Sequence, residues 1–496
     1  MNVDGKSDES VVPLTRVNNA GTEPAAESVE ERDSAKRNTE QTDPGRAEKR
    51  NHRGSSGLHG VREAARAKPD LKFTSLLHHI NEAMLYEAFF DLKKTAAVGI
   101  DEVTWHDYEQ DLEDHIPDLH GRIHRGAYRA KPSKRIYIAK ADGRKRPIGI
   151  ASLEDKLVQK AVVWVLQSIY EQDFVGFSYG FRPGRSQHDA LDALSVGIAD
   201  RKVNWALDAD VEGFFDNIDH DWLMKFLEHR IADKRILRLI DKWLRAGVSD
   251  DGEWSETKVG TPQGAVISPL LANVFLHYVF DLWIRMWRKT RARGEVVVVR
   301  YADDFVIGFE CKDEAERCLD ELRERFAKFG LKLHKDKTRL IEFGRRANRN
   351  RKARREGRAE TFDFLGFTHR CDVTSSGWFA LRRATIAKRL RATIAAIKVK
   401  LIQRRHWPIE AVGKWLRRVC QGWLNYHAIP GNLERMKQFL DEVKKLWLAQ
   451  LRRRSHRHRM PWRRFVRIIA RYLPLPKPVH PFPSVRFHAR LKAGAV

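Results

Sequence analysis

Cysteine is scarce in this 496-residue sequence, and the cysteines that occur are not paired. The four cysteines stand at positions 311, 318, 371 and 420, and no two of them form a Cys-x-x-Cys spacing. This pattern excludes a zinc ribbon and a disulfide framework, and it is typical of a reducing, cytoplasmic setting. The sequence also lacks an apolar run of about 18 residues and an apolar signal core at its N-terminus. We therefore expect a cytoplasmic protein with no membrane span.

Acidic residues are depleted in one part of the chain only. Residues 345–496 contain 38 Lys and Arg against 8 Asp and Glu, whereas residues 71–344 contain 42 against 45. The formal net charge of +26 therefore comes from the last third of the chain. Such an asymmetry predicts a polyanion-binding region there, next to a nearly neutral middle region.

Apolar residues are sparse in residues 1–70, which are rich in Ser, Glu, Asp, Asn, Gly and Arg. A segment of this composition cannot bury enough surface to fold alone. We predict a disordered N-terminal extension over residues 1–70, with a helix beginning near Leu71. The remaining length is enough for two or three domains.

The most informative stretch runs from Val296 to Glu310. It contains four consecutive Val residues, which favour a strand, then Tyr301-Ala302-Asp303-Asp304, then a second short apolar run. Two apolar runs divided by a few polar residues predict a β-hairpin, here with two adjacent carboxylates at its tip. Adjacent like charges repel, and a bound divalent cation would offset that repulsion. A solvated acidic turn is the alternative.

A third carboxylate lies upstream, where the predicted strand Trp205 to Ala209 ends in Asp210. Asp208 shares a face with Asp210, because alternate residues of a strand point the same way. Asp210 and Asp303 would supply carboxylates from two neighbouring strands. Two Mg²⁺ ions about 3.5–4 Å apart can bridge such carboxylates and clamp an in-line phosphoryl displacement.

Two further segments have the composition of phosphate or nucleic-acid contacts. Residues 134–151 predict a hairpin whose tip is flanked by Lys140 and Arg146, where cations can meet a triphosphate. A solvated basic turn is the alternative. The Gly-, aromatic- and Arg-rich loop at 176–186 can stack bases and contact phosphates through Arg182 and Arg185.

The segment 258–276 places two glycines around Gln263 and then begins an apolar helix with Pro269 in its first turn. Glycine lets the backbone approach a ligand closely, and Gln263 can hydrogen-bond a sugar or a base. The alternative is a loop that only packs at the start of a helix.

The last third of the chain predicts helices. Residues 362–367 favour one short packed strand, and residues 382–453 favour three amphipathic helices with a turn at Pro430-Gly431. The tail at 454–496 is basic with interleaved aromatic residues and then Pro-rich. We predict that it binds DNA or RNA and has little core of its own.

The order of these segments resembles the bacterial group II intron-encoded reverse transcriptases, which are also maturases. The resemblance rests on an Asp with an aromatic residue five positions later (Asp210 and Phe215) and on five short motifs. The motifs are RPIGI at 146–150, YGFRPGRS at 179–186, TPQG at 261–264, YADD at 301–304 and GWLNYH at 422–427.

The resemblance extends from about residue 71 to residue 496, and it implies an α+β, right-hand polymerase fold. Fingers and palm with an antiparallel sheet would occupy residues 71–368, and an α-helical thumb or maturase domain residues 375–453. The basic tail would follow over residues 454–496.

The resemblance also implies roles for single residues. Asp210, Asp303 and Asp304 take the catalytic, metal-binding positions, with Asp304 as the weaker ligand. Phe215 would lie under the sugar of the incoming dNTP and exclude a 2′-hydroxyl group.

The other implied roles concern the nucleotide. Lys140 and Arg146 would hold the triphosphate, and Gln263 would contact the incoming nucleotide. Lys337 would protonate the leaving pyrophosphate, with Lys332 and Lys335 competing for that role.

The implied activity is RNA-directed DNA synthesis with two Mg²⁺ ions, a DNA primer and target, and dNTP. The implied second function is binding of the group II intron RNA to assist splicing and mobility. Many relatives carry an endonuclease with paired cysteines, a spacing absent here, so we expect no second-strand cleavage. Three alternatives stay open: a maturase with an idle polymerase site, a reverse transcriptase without an intron, and RNA-templated RNA synthesis.

Overall fold

The part of the chain that the structure describes combines eleven strands with a larger number of helices. The computed structural model describes residues 57–139, 145–250, 252–256, 259–454 and 460–493. The strands are β1 Ser133–Ala139, β2 Lys145–Ile150, β3 Trp205–Asp210, β4 Val248–Asp250, β5 Glu253–Ser255, β6 Val296–Tyr301, β7 Asp304–Phe309, β8 Arg339–Glu342, β9 Phe362–Phe364, β10 Phe367–Val373 and β11 Phe379–Thr385. The α+β class predicted from the sequence is confirmed.

Helices surround these strands and fill the second half of the chain. Those before residue 300 are α1 His59–Ala67, α2 Glu82–Asp91, α3 Trp105–Gln110, α4 Leu112–His124, α5 Leu153–Asp173, α6 Gln187–Asp200, α7 His220–Glu228, α8 Lys234–Arg245, α9 Ser268–Leu276 and α10 Leu282–Thr290. Those after it are α11 Lys312–Ala327, α12 Ala347–Ala353, α13 Ala387–Gln403, α14 Ile409–His427, α15 Leu433–Arg452, α16 Trp462–Tyr472 and α17 Pro483–Ala493. None of the helices in the described ranges has the length and apolarity needed to cross a membrane.

The central sheet has the strand order β6-β7-β3-β8, and every neighbouring pair in it is antiparallel. Both of its faces are buried, each against a separate hydrophobic core. Val296 and Val298 join the larger core, whereas Val297 and Val299 join a separate core that includes α6. Burial on both faces explains why β6 is a continuous run of valines rather than an alternating pattern. The predicted hairpin of β6 and β7 is confirmed.

A smaller sheet with the order β2-β1-β4-β5 lies on the N-terminal side. The predicted hairpin of β1 and β2 is confirmed, with Ile136 opposite Ile148. Its tip, including Lys140, lies outside the described residues. Helix α5 follows directly and begins where the Ser152 side chain accepts a hydrogen bond from the Asp155 backbone N–H, a common N-terminal cap.

The third sheet, with the order β11-β10-β9, corrects two expectations. Residues 362–367 do not form one strand, because Leu365 and Gly366 have φ of +45° and +84° and turn the chain between β9 and β10. Residues 382–385 are strand rather than helix, since β11 pairs with β10 along its whole length. The three predicted helices are present as α13, α14 and α15, and the first begins at Ala387.

The N-terminal extension is shorter than predicted. Instead of remaining unstructured to residue 70, the chain forms α1, which buries Val61 and Ala65 in the large core. The prediction failed because the three apolar residues at 58, 61 and 65 fall on one helical face among many polar residues.

The C-terminal tail folds back onto the rest of the molecule, contrary to the prediction that it has little core. Phe465 and Tyr472 of α16 pack into the core of the three helices α13 to α15. Arg486 of α17 pairs with Asp192 of α6, and Asp192 also accepts a 3.1 Å hydrogen bond from Arg383 of β11. One buried carboxylate therefore joins three distant parts of the chain.

We predict that Asp192→Ala lowers the free energy of unfolding by about 3–5 kcal/mol, because it leaves the buried Arg383 guanidinium without its carboxylate. Chemical denaturation followed by circular dichroism measures the change. The control is Glu442→Ala, which removes an exposed i,i+3 pair with Lys445 and should cause no measurable loss. Equal stability of the two variants would contradict the role given to Asp192.

Candidate active site

The tip of the β6–β7 hairpin is a two-residue turn. Tyr301 pairs with Asp304, so Ala302 and Asp303 form the connection. Ala302 has a φ of +58°, which is what the first central residue of a type II′ turn requires. A non-glycine residue in this region carries conformational strain, so surrounding contacts must hold it there.

Asp210 ends β3 directly beside this turn. The register of β3 and β7 places Asp210 opposite Asp304, and residues opposite each other in antiparallel strands have Cα atoms about 4.5–5.5 Å apart. The structure therefore brings together the three carboxylates that the sequence predicted, although Asp210 and Asp303 are separated by more than ninety residues.

The electrostatics of the three carboxylates show that they crowd one another. Burial raises the pKa of Asp303, and the charge of Asp210 raises it further. Burial also raises the pKa of Asp304 well above its usual value, with the charges of Asp208 and Asp303 as the next causes. Like charges held this close in a partly buried site favour a bound cation.

Asp208 belongs to the same acidic group, although it was not predicted as a site residue. Burial raises its pKa to about 6, and Arg339 of β8 opposes that shift with a contact of 3.4 Å. The shared parity of Asp208 and Asp210 was visible in the sequence. That Asp208 also faces Asp304 depends on the register of β3 against β7, which the sequence does not state.

Lys337 is the cation nearest to Asp210. Its Nζ atom lies 2.6 Å from Asp210 Oδ2, and the preceding loop is fixed by a hydrogen bond from the His334 N–H to the Asp210 carbonyl. This selects Lys337 over its competitors Lys332 and Lys335 as the lysine at the site.

The donor set fits a divalent metal ion that is completed by substrate. In the described part of the chain no three His, Cys, Asp or Glu side chains are grouped so that they could hold a metal ion, so any ion here would rest on two carboxylates and on substrate. Mg²⁺ commonly takes one or two carboxylates and keeps phosphate oxygens and waters as its other ligands. Asp210 and Asp303 match that requirement, and the Lys337 ammonium already contacts one carboxylate oxygen of Asp210.

Three residues predicted to contact the nucleotide lie around the turn after β3 and the loop before α9. The Thr261 N–H donates to the Phe215 carbonyl at 2.8 Å, and the Gly149 N–H of β2 donates to the Gln263 carbonyl at 2.7 Å. These bonds fix Gln263, whose side chain accepts from Arg146 Nε at 2.6 Å. Half-buried Phe215 packs against the core beside them. The structure therefore brings Arg146, Phe215 and Gln263 into one neighbourhood.

Glycine is required in the loop before α9. Gly260 has a φ of +87°, and a Cβ atom there would lie 2.9 Å from the carbonyl oxygens of Phe215 and Asp216. This close approach seats the loop against the turn that carries Phe215, and it accounts for one of the two glycines noted around Gln263.

The prediction that Arg182 contacts RNA is wrong for this conformation. Its side chain is buried, and it donates to the carbonyl oxygens of Val175 and Ser178 while pairing with Glu171. Arg185 also turns inward, toward the carbonyl oxygens of Gly176 and Ser178. Both arginines shape the loop from within, a role that composition alone does not distinguish from phosphate binding.

Arg300, at the end of β6, is the most important residue that the sequence analysis missed. Its guanidinium is fully buried and uses all five of its N–H donors. Two go to the carboxylate of Asp281, at 2.7 and 2.5 Å. The others go to Asn273 Oδ1 at 3.0 Å, Ser178 Oγ at 2.6 Å and the Ala302 carbonyl at 2.9 Å.

The last of these bonds holds the strained turn residue itself. Asn273 adds a second link by donating to the Gly180 carbonyl at 2.7 Å. Gly180 lies so close to the turn that a Cβ atom would be 2.2 Å from the Ala302 nitrogen. Asp281 ends a π-helical turn, His277–Asp281, a distortion that is frequent at functional sites.

Comparison with known families identifies the region around this site. The family described as "Reverse transcriptase (RNA-dependent DNA polymerase)" matches residues 138–369. That range includes the three carboxylates, Lys337 and Arg300. It also includes Arg146, Phe215 and Gln263.

Three proteins illustrate the similarity. Protein YkfC of Escherichia coli K12 is 32% identical over 313 residues, which are 56% of this chain and 81% of YkfC. Group II intron-encoded protein LtrA of Lactococcus lactis is 39% identical over 186 residues, which are 36% of this chain and 31% of LtrA. A 91 kDa protein in the cob intron of Schizosaccharomyces pombe is 44% identical over 146 residues, which are 29% of this chain. The chain thus spans most of YkfC and less than a third of LtrA.

We predict that Arg300→Met lowers the free energy of unfolding by about 3–5 kcal/mol, because Asp281 would remain fully buried without its cation. Thermal and urea denaturation measure the loss. The matched control is Arg323→Met, which removes an exposed arginine that pairs with Asp320, and it should leave stability nearly unchanged. An equally small effect at position 300 would show that the buried ion pair does not hold the turn.

Proposed function

Because this chain belongs to the group II intron reverse transcriptase family, we propose that it copies RNA into DNA at the hairpin tip of β6 and β7. The observation that carries the proposal is the convergence of Asp210, Asp303 and Asp304 at one turn. Arg146, which donates to the Gln263 side chain, is close enough for its charge to act on Asp303. We further propose that the protein binds its own intron RNA to assist splicing. Copying of that RNA at the target DNA would then support intron mobility.

In the proposed reaction, the primer 3′-oxygen forms a bond to the α-phosphorus of a dNTP, and the bond to the pyrophosphate oxygen breaks. Two Mg²⁺ ions, when bound, stabilise the attacking and leaving oxygens. Asp210 and Asp303 would hold them, together with the backbone carbonyl of Val211. Asp304 would act as a weaker ligand or orient its neighbours, since burial raises its pKa well above the usual value.

Lys337 would supply the proton that the pyrophosphate takes up as it leaves. Its ammonium now pairs with Asp210, so the ion pair must open before the lysine can reach a substrate. A cation bound to Asp210 favours that opening, because it competes for the same carboxylate.

The residues predicted to contact the nucleotide would select and hold it. Arg146 would pair with the triphosphate, since a guanidinium binds phosphate in a fixed geometry. Lys140 would assist it, and Gln263 would contact the nucleotide. The Phe215 ring would lie under the sugar, where a 2′-hydroxyl group would clash.

RNA binding is supported by the charge of residues 345–496, which carry a net +30. Helices α13 to α16 present the surplus Lys and Arg on a packed scaffold, so the cations are held in place rather than solvated singly. Binding dominated by phosphate contacts weakens steeply with salt. The intron RNA and the DNA target are the polyanions that this function requires.

We predict that Asp303→Ala lowers primer extension on an RNA template with dNTP and Mg²⁺ by at least about 10²-fold, because it removes several kcal/mol of charge stabilisation. Extension is measured on a gel with an end-labelled primer. The control, Asp313→Ala, removes an exposed carboxylate of α11 and should keep wild-type activity.

The same two variants distinguish a maturase with an idle polymerase site. If wild-type protein supports intron splicing but shows no extension above Asp303→Ala, the polymerase proposal fails and the idle maturase stands. If splicing survives Asp303→Ala while extension is lost, both functions are present and separable.

We predict that Phe215→Ala admits ribonucleotides, because the space under the sugar would then hold a 2′-hydroxyl group. The ratio of kcat/KM for dNTP to that for NTP should fall by at least about tenfold. Phe90→Ala, which removes an exposed aromatic side chain of α2, serves as the control and should keep the ratio. An unchanged ratio in the Phe215 variant would contradict the assignment of Phe215 as the sugar gate.

A further inference from the structure

A row of four cations extends along helix α12 and onto the residues that flank its two ends. We call it the basic stripe: Arg346, Arg349, Lys352 and Arg355. Each is exposed, and each follows the previous one by three residues. Such neighbours on a helix are about 5–6 Å apart, and like charges at this spacing destabilise the helix. Within the described ranges, their side chains make no hydrogen bond or ion pair.

The other arginines of this segment behave differently. Arg351 pairs with Glu360, and Arg354 pairs with Glu342 and Glu356. At about 100° per residue, Arg354 lies roughly 140–160° around the helix from Arg349 and Lys352, whereas Arg351 lies about 160° from Arg349 and about 100° from Lys352. The carboxylates therefore neutralise the inner face of α12 and leave the outer face positive.

The backbone after α12 points the same way. The Glu356 N–H donates to the Arg351 carbonyl at 2.9 Å, which closes the helix in a Schellman motif. The left-handed position of that motif usually holds glycine, yet here it holds Arg355 with a φ of +61°. Glycine is the ordinary residue at this left-handed position, but the nearest glycine, Gly357, lies two residues later. The sequence therefore places a cation where the backbone conformation disfavours any side chain.

Tertiary contacts hold this short helix rigidly. A seven-residue helix is marginal alone, but Ala347 is buried and Asn350 donates to Glu342 Oε1 at 3.0 Å. Asn348 donates to the Cys371 carbonyl at 3.2 Å and accepts from the Ala359 N–H at 2.8 Å. The stripe is therefore a fixed surface rather than a mobile basic loop.

The stripe lies away from the polymerase site. Glu342, which anchors α12, is opposite Trp205, at the other end of β3 from Asp210. Five residues of strand separate Trp205 from Asp210, which is about 17 Å at 3.3 Å per residue. The stripe and the carboxylates therefore lie toward opposite ends of β3.

From these observations we infer that the basic stripe is a second binding surface, for the phosphodiester backbone of a nucleic-acid duplex that lies outside the polymerase site. Four unpaired, rigidly spaced cations match a row of phosphates. A protein partner fits less well, because residues 339–372 expose no large apolar side chain and protein interfaces have an apolar core. This inference rests on the nucleic-acid binding proposed for residues 345–496 and deepens it by naming the residues that make the contact, but it does not depend on the proposed catalysis.

The test compares two triple variants with equal charge change. The stripe variant is Arg349→Gln, Lys352→Gln and Arg355→Gln. The control variant is Lys234→Gln, Arg238→Gln and Lys328→Gln, which changes exposed cations on or beside other helices. Each full-length protein is first saturated with a short primer–template, and labelled 30-base-pair duplexes of RNA and of DNA are then titrated at several KCl concentrations.

For at least one duplex, we expect the plot of log binding constant against log salt concentration to be less steep in the stripe variant. Its slope should be smaller in magnitude by about 2.7, because each lost phosphate contact contributes about 0.9. Between 50 and 200 mM salt, the wild-type protein should therefore lose about 40-fold more affinity than the stripe variant loses. The duplex that responds identifies whether RNA or DNA is the natural ligand. The control should keep the wild-type slope, and extension of the bound primer should be unchanged in both variants.

An unchanged slope for both duplexes would overturn the inference, as would an equal change in the control. A parallel loss of primer extension would place the stripe in the polymerase cleft and overturn it as well. Misfolding is checked by the melting temperature, which should not fall, because like-charge repulsion is relieved. The single variant Arg355→Gly removes one cation and favours the turn, so it should raise stability while lowering the slope by about 0.9.

Discussion

The buried ion pair between Arg300 and Asp281 is the interaction on which the arrangement of the active site depends. Two carboxylates at a hairpin tip and a third on the next strand repel one another, and the turn that carries them contains a strained alanine. Arg300 opposes this by bonding the Ala302 carbonyl while its charge is balanced by Asp281. One guanidinium thus connects the acidic tip to the helical core and to the loop at Ser178.

The same site shows how a fold can hold like charges together. The backbone pairing of β3 with β7 places Asp210 opposite Asp304 regardless of their charge, and burial then raises the pKa values of Asp303 and Asp304. The Lys337 ammonium offsets part of this charge at Asp210. A metal ion that takes the place of Lys337 would stabilise the carboxylates and free the lysine in one step, which links metal binding to the availability of the proposed acid.

The sequence predicted the hairpin and the third carboxylate because strand periodicity and adjacent aspartates are local signals. It missed Arg300 because a sequence does not distinguish an arginine on the surface from one that is fully buried. The partners of Arg300, at Ser178, Asn273 and Asp281, also lie in separate segments. Arg182 failed for the converse reason, since a basic loop looked like a phosphate contact until its bonds to internal carbonyl oxygens were seen. Composition also hid the return of the tail, because the contacts that hold it, such as those of Phe465 with the helical core and of Arg486 with Asp192, join segments distant in sequence.

The proposed catalysis requires that this fixed turn lets Asp210 and Asp303 share one divalent cation. The most direct measurement is anomalous scattering from crystals of the protein with Mn²⁺, an RNA template, a DNA primer and a non-hydrolysable dNTP. We expect an anomalous peak in contact with both carboxylates, with the Lys337 ammonium displaced from Asp210. A peak that touches neither carboxylate, or a Lys337–Asp210 ion pair that remains closed beside an ordered nucleotide, would contradict the claim.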